Sequence, residues 1–183
     1  PAEESYRNQV ATAASFILNI CSNIPLTAVQ LGTGLGDLTD RLKIEHEISY
    51  EDIPWFPKST VESHRGTLLI GLLEGFPTLI LSGRFHFYEG YSTREITLPI
   101  RVLQVLGVKN LIITNAAGEL NPLFLPGTII IIRDHLNFLG ENPLRGPNVD
   151  EWGPRFPDFS EPYGPDLIKI ALDSADQCSI DKV

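Results

Sequence analysis

Pro77-Thr78-Leu79-Ile80-Leu81, a helical pattern from Ser92 to Gly107, and Asn110-Leu111-Ile112-Ile113-Thr114 follow in that order along the chain. The two flanking segments are short, apolar and rich in strand-forming residues, as buried strands are. Between them Ile96, Leu98, Ile100, Val102, Leu103 and Leu106 recur at helical steps, with Pro99 as a point where the helix can kink and Gly107 as its stop. Strand, helix and strand at this spacing make a crossover unit, so the expected class is α/β.

Working outward, Glu4 to Ile20 reads as a helix with Val10, Ala13, Ala14, Ile17 and Leu18 on its apolar stripe. Leu26 to Leu31 reads as a buried strand running into Gly32-Thr33-Gly34-Leu35-Gly36-Asp37, a glycine-rich turn that opens a short helix. Ile44 to Tyr50 is a further strand, and Ile53-Pro54-Trp55-Phe56-Pro57 a proline-pinned loop. Thr67 to Leu73 and Pro77 to Leu81 form a hairpin about Glu74-Gly75. Beyond Thr114, a strand is expected over Gly127 to Ile132, a long functional or interface loop over Gly140 to Pro162, and a last helix over Tyr163 to Gln177.

The chain has 183 residues, 43% of them hydrophobic, enough for one domain with a core of its own. A net charge of -9 argues against a nucleic-acid or anionic-membrane surface, so any anion site has to be a local pocket of positive potential. No apolar run has the length of a membrane span. Cys21 and Cys178 lack metal-ligand spacing and read as buried free thiols in a reducing compartment. The four histidines are far apart in sequence, so no metal is expected.

Such a pocket is offered by Gly83-Arg84-Phe85-His86-Phe87-Tyr88-Glu89-Gly90-Tyr91. If the strand continues, Arg84, His86 and Tyr88 share one face while Phe85 and Phe87 face a core. A guanidinium beside an imidazole on an apolar backing suits an oxyanion such as phosphate. The glycine turn adds backbone donors, but its spacing is neither the dinucleotide fingerprint nor a Walker A loop, which counts against a dinucleotide-binding domain.

Four motifs occur together in order: Leu31-Gly32-Thr33-Gly34-Leu35-Gly36, Gly83 to Gly90, Thr114-Asn115-Ala116-Ala117-Gly118 and Asn142-Pro143-Leu144-Arg145-Gly146-Pro147-Asn148. In these the chain resembles the trimeric purine nucleoside phosphorylases that prefer 6-oxopurine nucleosides. The resemblance implies an α/β fold with a mixed, partly barrel-like central sheet flanked by helices. It implies a single nucleoside phosphorylase domain over 1–183, incomplete at its C-terminus. It further implies reversible phosphorolysis of inosine- and guanosine-type nucleosides to purine and ribose 1-phosphate, in the cytoplasm, by a homotrimer with no cofactor beyond co-substrate phosphate. The nearest enzymatic alternative is a methylthioadenosine phosphorylase; a non-catalytic phosphate-binding or assembly fragment is the other.

Matched position by position, the resemblance gives phosphate to Thr33, Arg84, His86 and the Ala116 backbone N–H, with His64 as a loop histidine that closes near it. His86 and Glu89 carry the catalytic role, Glu89 by orienting the imidazole. Tyr88 contacts ribose, Phe156 covers the sugar in the neighbouring subunit's site, and Asn115 supports the strand end. The family's base-recognising residues lie in later segments, so base specificity is not legible in these residues, and 183 residues alone are expected to be inactive or nearly so. Glu119 stands where many members have glycine. For Phe156 the plain alternative is ordinary packing, and for Glu89 and Asn115 a structural hydrogen bond. His46 receives no function, and His135 a structural bond.

Overall fold

The computed structural model describes residues 2–58 and 66–180. They cluster into two compact units: Pro1–Ala116 with Glu141–Trp152, and Ala117–Gly140 with Gly153–Val183. The first holds helices α1 (Ala2–Ile20) and α2 (Thr93–Val105) and strands β1 (Thr27–Leu31), β2 (Leu42–Ser49), β3 (Thr67–Leu73), β4 (Phe76–Ser82) and β5 (Asn110–Ile113). Short 3-10 turns lie at Gly36–Arg41, Phe87–Glu89 and Asp150–Trp152.

The strands make one mixed sheet in the order β2-β3-β4-β1-β5. β2, β3 and β4 are an antiparallel meander, while β1 lies parallel to β4 on one side and to β5 on the other. The crossover expected from β4 through α2 to β5 is present, and it spans β1, which sits between them. Barrel-like closure is not formed among the described residues: β5 pairs with β1 alone and β2 with β3 alone.

Side chains alternate across a strand, and the two faces bury different sets. Ala28, Leu68, Ile70, Leu79 and Leu81 join Val10, Ala13, Ala14 and Ile17 of α1 and Leu98, Val102 and Leu103 of α2. Val29, Leu31, Leu69 and Ile80 form a smaller cluster on the other face, packed against Leu38 of the first 3-10 turn. In β2, Leu42 belongs to the second cluster and Ile48 to the first although both numbers are even. The register slips between Ile44 and His46, so Glu45 is an extra residue that reverses the alternation. One inserted residue therefore lets β2 bury apolar side chains on both faces.

α2 begins with a reciprocal cap: the Glu95 backbone N–H donates to Ser92 Oγ at 3.3 Å, and Ser92 N–H donates to Glu95 Oε2 at 2.8 Å. Pro99 is accommodated inside the helix. Residues Glu141–Trp152 join this unit through Trp152, whose ring stands edge-on to Tyr6 with Arg101 over it, and through an Arg7–Glu151 ion pair of 2.7 Å.

The second unit contains α3 (Pro165–Gln177), started by Pro165 behind Gly164. The strand expected over Gly127 to Ile132 is not formed: no neighbouring strand pairs with it among the described residues, and Ile129, Ile130 and Ile132 are exposed. Cys21 is buried as expected, whereas Cys178, just past α3, is exposed.

Candidate functional site

Because β1, β4 and β5 run parallel, their C-terminal ends lie on one edge of the sheet. Leu31 is level with Ser82, and Gln30 with Ile113. The chain leaves these strands as Gly32, Gly83 and Thr114, so the three quoted motifs emerge side by side. Crevices at the carboxyl ends of parallel strands are where α/β sheets bind ligands.

Thr114 ties the three ends together. Its hydroxyl accepts the Gly32 backbone N–H at 2.8 Å and donates to the Gln30 carbonyl at 3.1 Å. Its own carbonyl accepts Arg84 Nη1–H at 2.9 Å. A Cβ built on Gly32 would stand 2.5 Å from the Thr114 carbonyl oxygen and 2.8 Å from Asn115 Cα. Only glycine permits this approach. Thr33, exposed, thus begins its turn against the β5 end that carries Asn115 and Ala116, also exposed.

The Gly83 to Gly90 stretch does not continue as a strand. β4 stops at Ser82, Gly83 turns the chain at φ 108°, and Phe87–Glu89 is a 3-10 turn ended by left-handed Gly90. Phe85 is buried as expected, but Phe87 is 40% exposed, because the turn breaks the alternation after His86. Arg84, His86 and Tyr88 still gather, by contacts other than strand geometry. Arg84 Nε–H donates to His86 Nε2 at 3.3 Å, and the Tyr88 ring stacks on the imidazole at 4.8 Å.

Arginine has no acceptor, so the imidazole Nε2 must accept and Nδ1 must carry the proton. That proton points to Glu89 Oε1 at 2.8 Å, which also accepts the His86 backbone N–H at 2.8 Å. The Glu89 side chain is 2% exposed and that of His86 17%. Glu89, a carboxylate nearly out of water, thus fixes tautomer and ring plane together. Arg84 has five donors, and the two bonds above use two of them. The remaining guanidinium donors stand beside backbone N–H groups at glycine-rich strand ends and can hold a tetrahedral oxyanion; the imidazole can donate to it only with a proton on Nε2 as well.

The phosphorylase superfamily model matches residues 27–181. This chain belongs to the phosphorylase superfamily. Among superfamily relatives, purine nucleoside phosphorylase 1 of Bacillus subtilis is 48% identical over 165 residues, 90% of this chain and 61% of that protein. The purine nucleoside phosphorylase of Mus musculus is 49% identical over 164 residues, 88% of this chain and 57% of that protein. A crystal structure of isoform 2 of the Schistosoma mansoni purine nucleoside phosphorylase, in complex with cytosine and ribose-1-phosphate, matches with a TM-score of 0.87 and 41% identity. The match covers 94% of this chain and 62% of that one. The chain thus spans about three fifths of the length of these superfamily members.

Of the expected site residues, Arg84, His86, Tyr88 and Glu89 are in direct contact, and Thr33, Asn115 and Ala116 flank Thr114. His64 lies outside the described residues. Phe156, in the second unit, is 84% exposed, with the Arg155 guanidinium over its ring at 5.3 Å. His135, in the same unit, lies 3.3 Å from the Tyr163 hydroxyl through Nδ1. Sequence reasoning passed over Thr114, although a hydroxyl residue ending a strand next to a glycine turn is a readable signal. No group of three or more potential metal ligands occurs among the described residues.

Proposed function

We propose that the protein is a purine nucleoside phosphorylase and that this chain carries its phosphate half-site. The observation that carries the proposal is the bonded series Gly32–Thr114–Arg84–His86–Glu89 across three parallel strand ends. The purine nucleoside phosphorylases that the chain resembles at 48% and 49% identity support the choice of reaction and of purine nucleosides.

In the proposed reaction a phosphate oxygen attacks the anomeric carbon, the glycosidic C–N bond breaks, and its electron pair leaves with the purine, which takes up a proton. The sugar passes through an oxocarbenium-like state, as in other glycosyl transfers. Arg84, the Thr33 hydroxyl and the Ala116 N–H donate to the phosphate, and His86 joins them when a proton on Nε2 replaces the bond it accepts from Arg84, with Glu89 keeping the imidazole aligned. Catalysis then comes from placement and from the phosphate's negative charge near the cationic sugar. Tyr88 lines the ribose, Asn115 supports the strand end, and Phe156 covers the sugar of a neighbouring subunit in a homotrimer. Phosphate is a co-substrate, no further cofactor takes part, and the setting is purine salvage in the cytoplasm. No helix among the described residues is long and apolar enough to cross a membrane.

The test is phosphate-dependent release of hypoxanthine from inosine by the full-length protein. Arg84→Ala is expected to raise the phosphate KM by on the order of a hundredfold, about 3 kcal/mol, with a much smaller change for inosine. Equal losses for both substrates would sink the role given to Arg84.

A further inference from the structure

Tyr50 has no part in the roles above, yet it is the buried side chain that touches the peptide just before Arg84. It stands one residue beyond β2, is 3% exposed, and donates its hydroxyl to the Gly83 carbonyl at 3.0 Å. Its ring lies 5.4 Å from both Phe56 and Phe85, and Phe85 lies 6.2 Å from Tyr91. Its backbone N–H donates to the Gly66 carbonyl at 2.7 Å, and a Cβ on Gly66 would meet the Tyr50 ring at 3.3 Å. Ring and backbone are therefore fixed from several sides, and the phenol oxygen is aimed at one peptide.

A phenylalanine would fill the same aromatic cluster, so packing does not explain the hydroxyl. The oxygen serves the Gly83 carbonyl, and Gly83 is where direction is chosen. At φ 108° this glycine has access to conformations closed to other residues, and something outside it must select one. Burial raises the Tyr50 pKa, so the phenol remains a donor throughout the neutral range.

We infer that Tyr50 is a positioning residue for the anion site: its hydroxyl fixes the Gly83 peptide and thereby the direction in which Arg84 and His86 leave β4. The inference rests on the phosphate-binding reading given above. In this exit direction Arg84 reaches both the Thr114 carbonyl and the His86 ring, so losing the tether is expected to loosen both contacts together.

The experiment is steady-state inosine phosphorolysis by the purified full-length protein, with inosine and inorganic phosphate varied separately. Tyr50→Phe is expected to raise the phosphate KM about tenfold and leave the inosine KM within about twofold. Phe56→Leu thins the same cluster without touching the Gly83 carbonyl; it is expected to lower the melting temperature and keep the phosphate KM within about twofold. Gly83→Ala disturbs the same peptide from the other side and is expected to reproduce the Tyr50→Phe split even where Tyr50→Phe expresses poorly. The role of Tyr50 is overturned by equal changes in both KM values, by a Phe56→Leu effect as large as that of Tyr50→Phe, or by a Gly83→Ala protein with normal phosphate KM. Full-length wild-type protein that releases hypoxanthine without need of phosphate, or not at all, overturns the phosphorylase reading and this one with it.

Discussion

Thr114 and Tyr50 each commit a side-chain hydroxyl to a backbone group next to the proposed anion site, and the two consequences can be measured separately. The Thr114 hydroxyl is the acceptor for the N–H of buried Gly32. Thr114→Val keeps the shape and removes that acceptor, so it is expected to cost about 1–3 kcal/mol of stability and to raise the phosphate KM on the order of tenfold. Thr114→Ser restores the oxygen and is expected to recover most of both. A Ser variant no better than Val would show that the methyl group, through packing, is what matters. For Tyr50 the measurable is pH. An unfolded phenol ionises near 10.0, and burial raises the folded value. Below that pH both states hold the proton and nothing is lost; above it the unfolded chain releases its proton first, so stability falls as pH rises, by up to about 1.4 kcal/mol per unit. The stability gap between wild type and Tyr50→Phe, read by urea unfolding from pH 9 to 11, is therefore expected to shrink with rising pH. Tyr6, also raised by burial, is present in both proteins and cancels. A gap that stays constant would mean the buried phenol ionises as readily as a free one.

At the scale of elements, the bulge at Glu45 decides which face each half of β2 serves. Deleting Glu45 restores strict alternation and turns Leu42, 5% exposed and packed in the second cluster, toward the wrong face. The expected loss is on the order of 2 kcal/mol in urea unfolding, since a buried leucine contributes about that much. Glu45→Ala, at an exposed side chain, is expected to stay within about 0.5 kcal/mol. Comparable losses in the two variants would remove the bulge from the explanation. The bulge also marks where sequence stops informing. Periodicity located α1, α2, α3 and the strands of the meander, because each carries its own apolar face. It could not see the half-turn of phase in β2, since Glu45 looks like any exposed strand residue. It placed Arg84, His86 and Tyr88 on one face on the condition that the strand continued, because alternation was the only rule available there. Gly83 at positive φ and the Glu89 bond to His86 wind the chain instead, yet the same side chains meet. Residues Gly127 to Ile132 have a strand's composition, but composition does not supply the neighbouring strand that pairing requires.

For the whole molecule, the acidic balance and the proposed subunit exchange at Phe156 belong together. A chain of net charge -9 repels its own copies at long range, so the proposed assembly would have to come from close apolar contacts rather than charge. The 84% exposure of Phe156 fits a side chain that reaches outward. If it covers the sugar of a neighbouring subunit, a site draws Arg84 from one copy and Phe156 from the next. Mixing then becomes decisive. Arg84→Ala and Phe156→Ala proteins, unfolded together and refolded at equal amounts, would place an intact Arg84 beside a neighbour's intact Phe156 in about a quarter of the sites of a ring-shaped oligomer. Inosine cleavage at nucleoside concentrations well below KM is expected to rise toward a quarter of the wild-type rate, above the mean of the two variants refolded alone. If Phe156 serves its own subunit, every mixed site lacks one residue or the other, and the mixture will do no better than that mean. Sedimentation of the same samples identifies the assembly in which the recovered activity travels: recovery confined to a single-chain species would exclude a shared site.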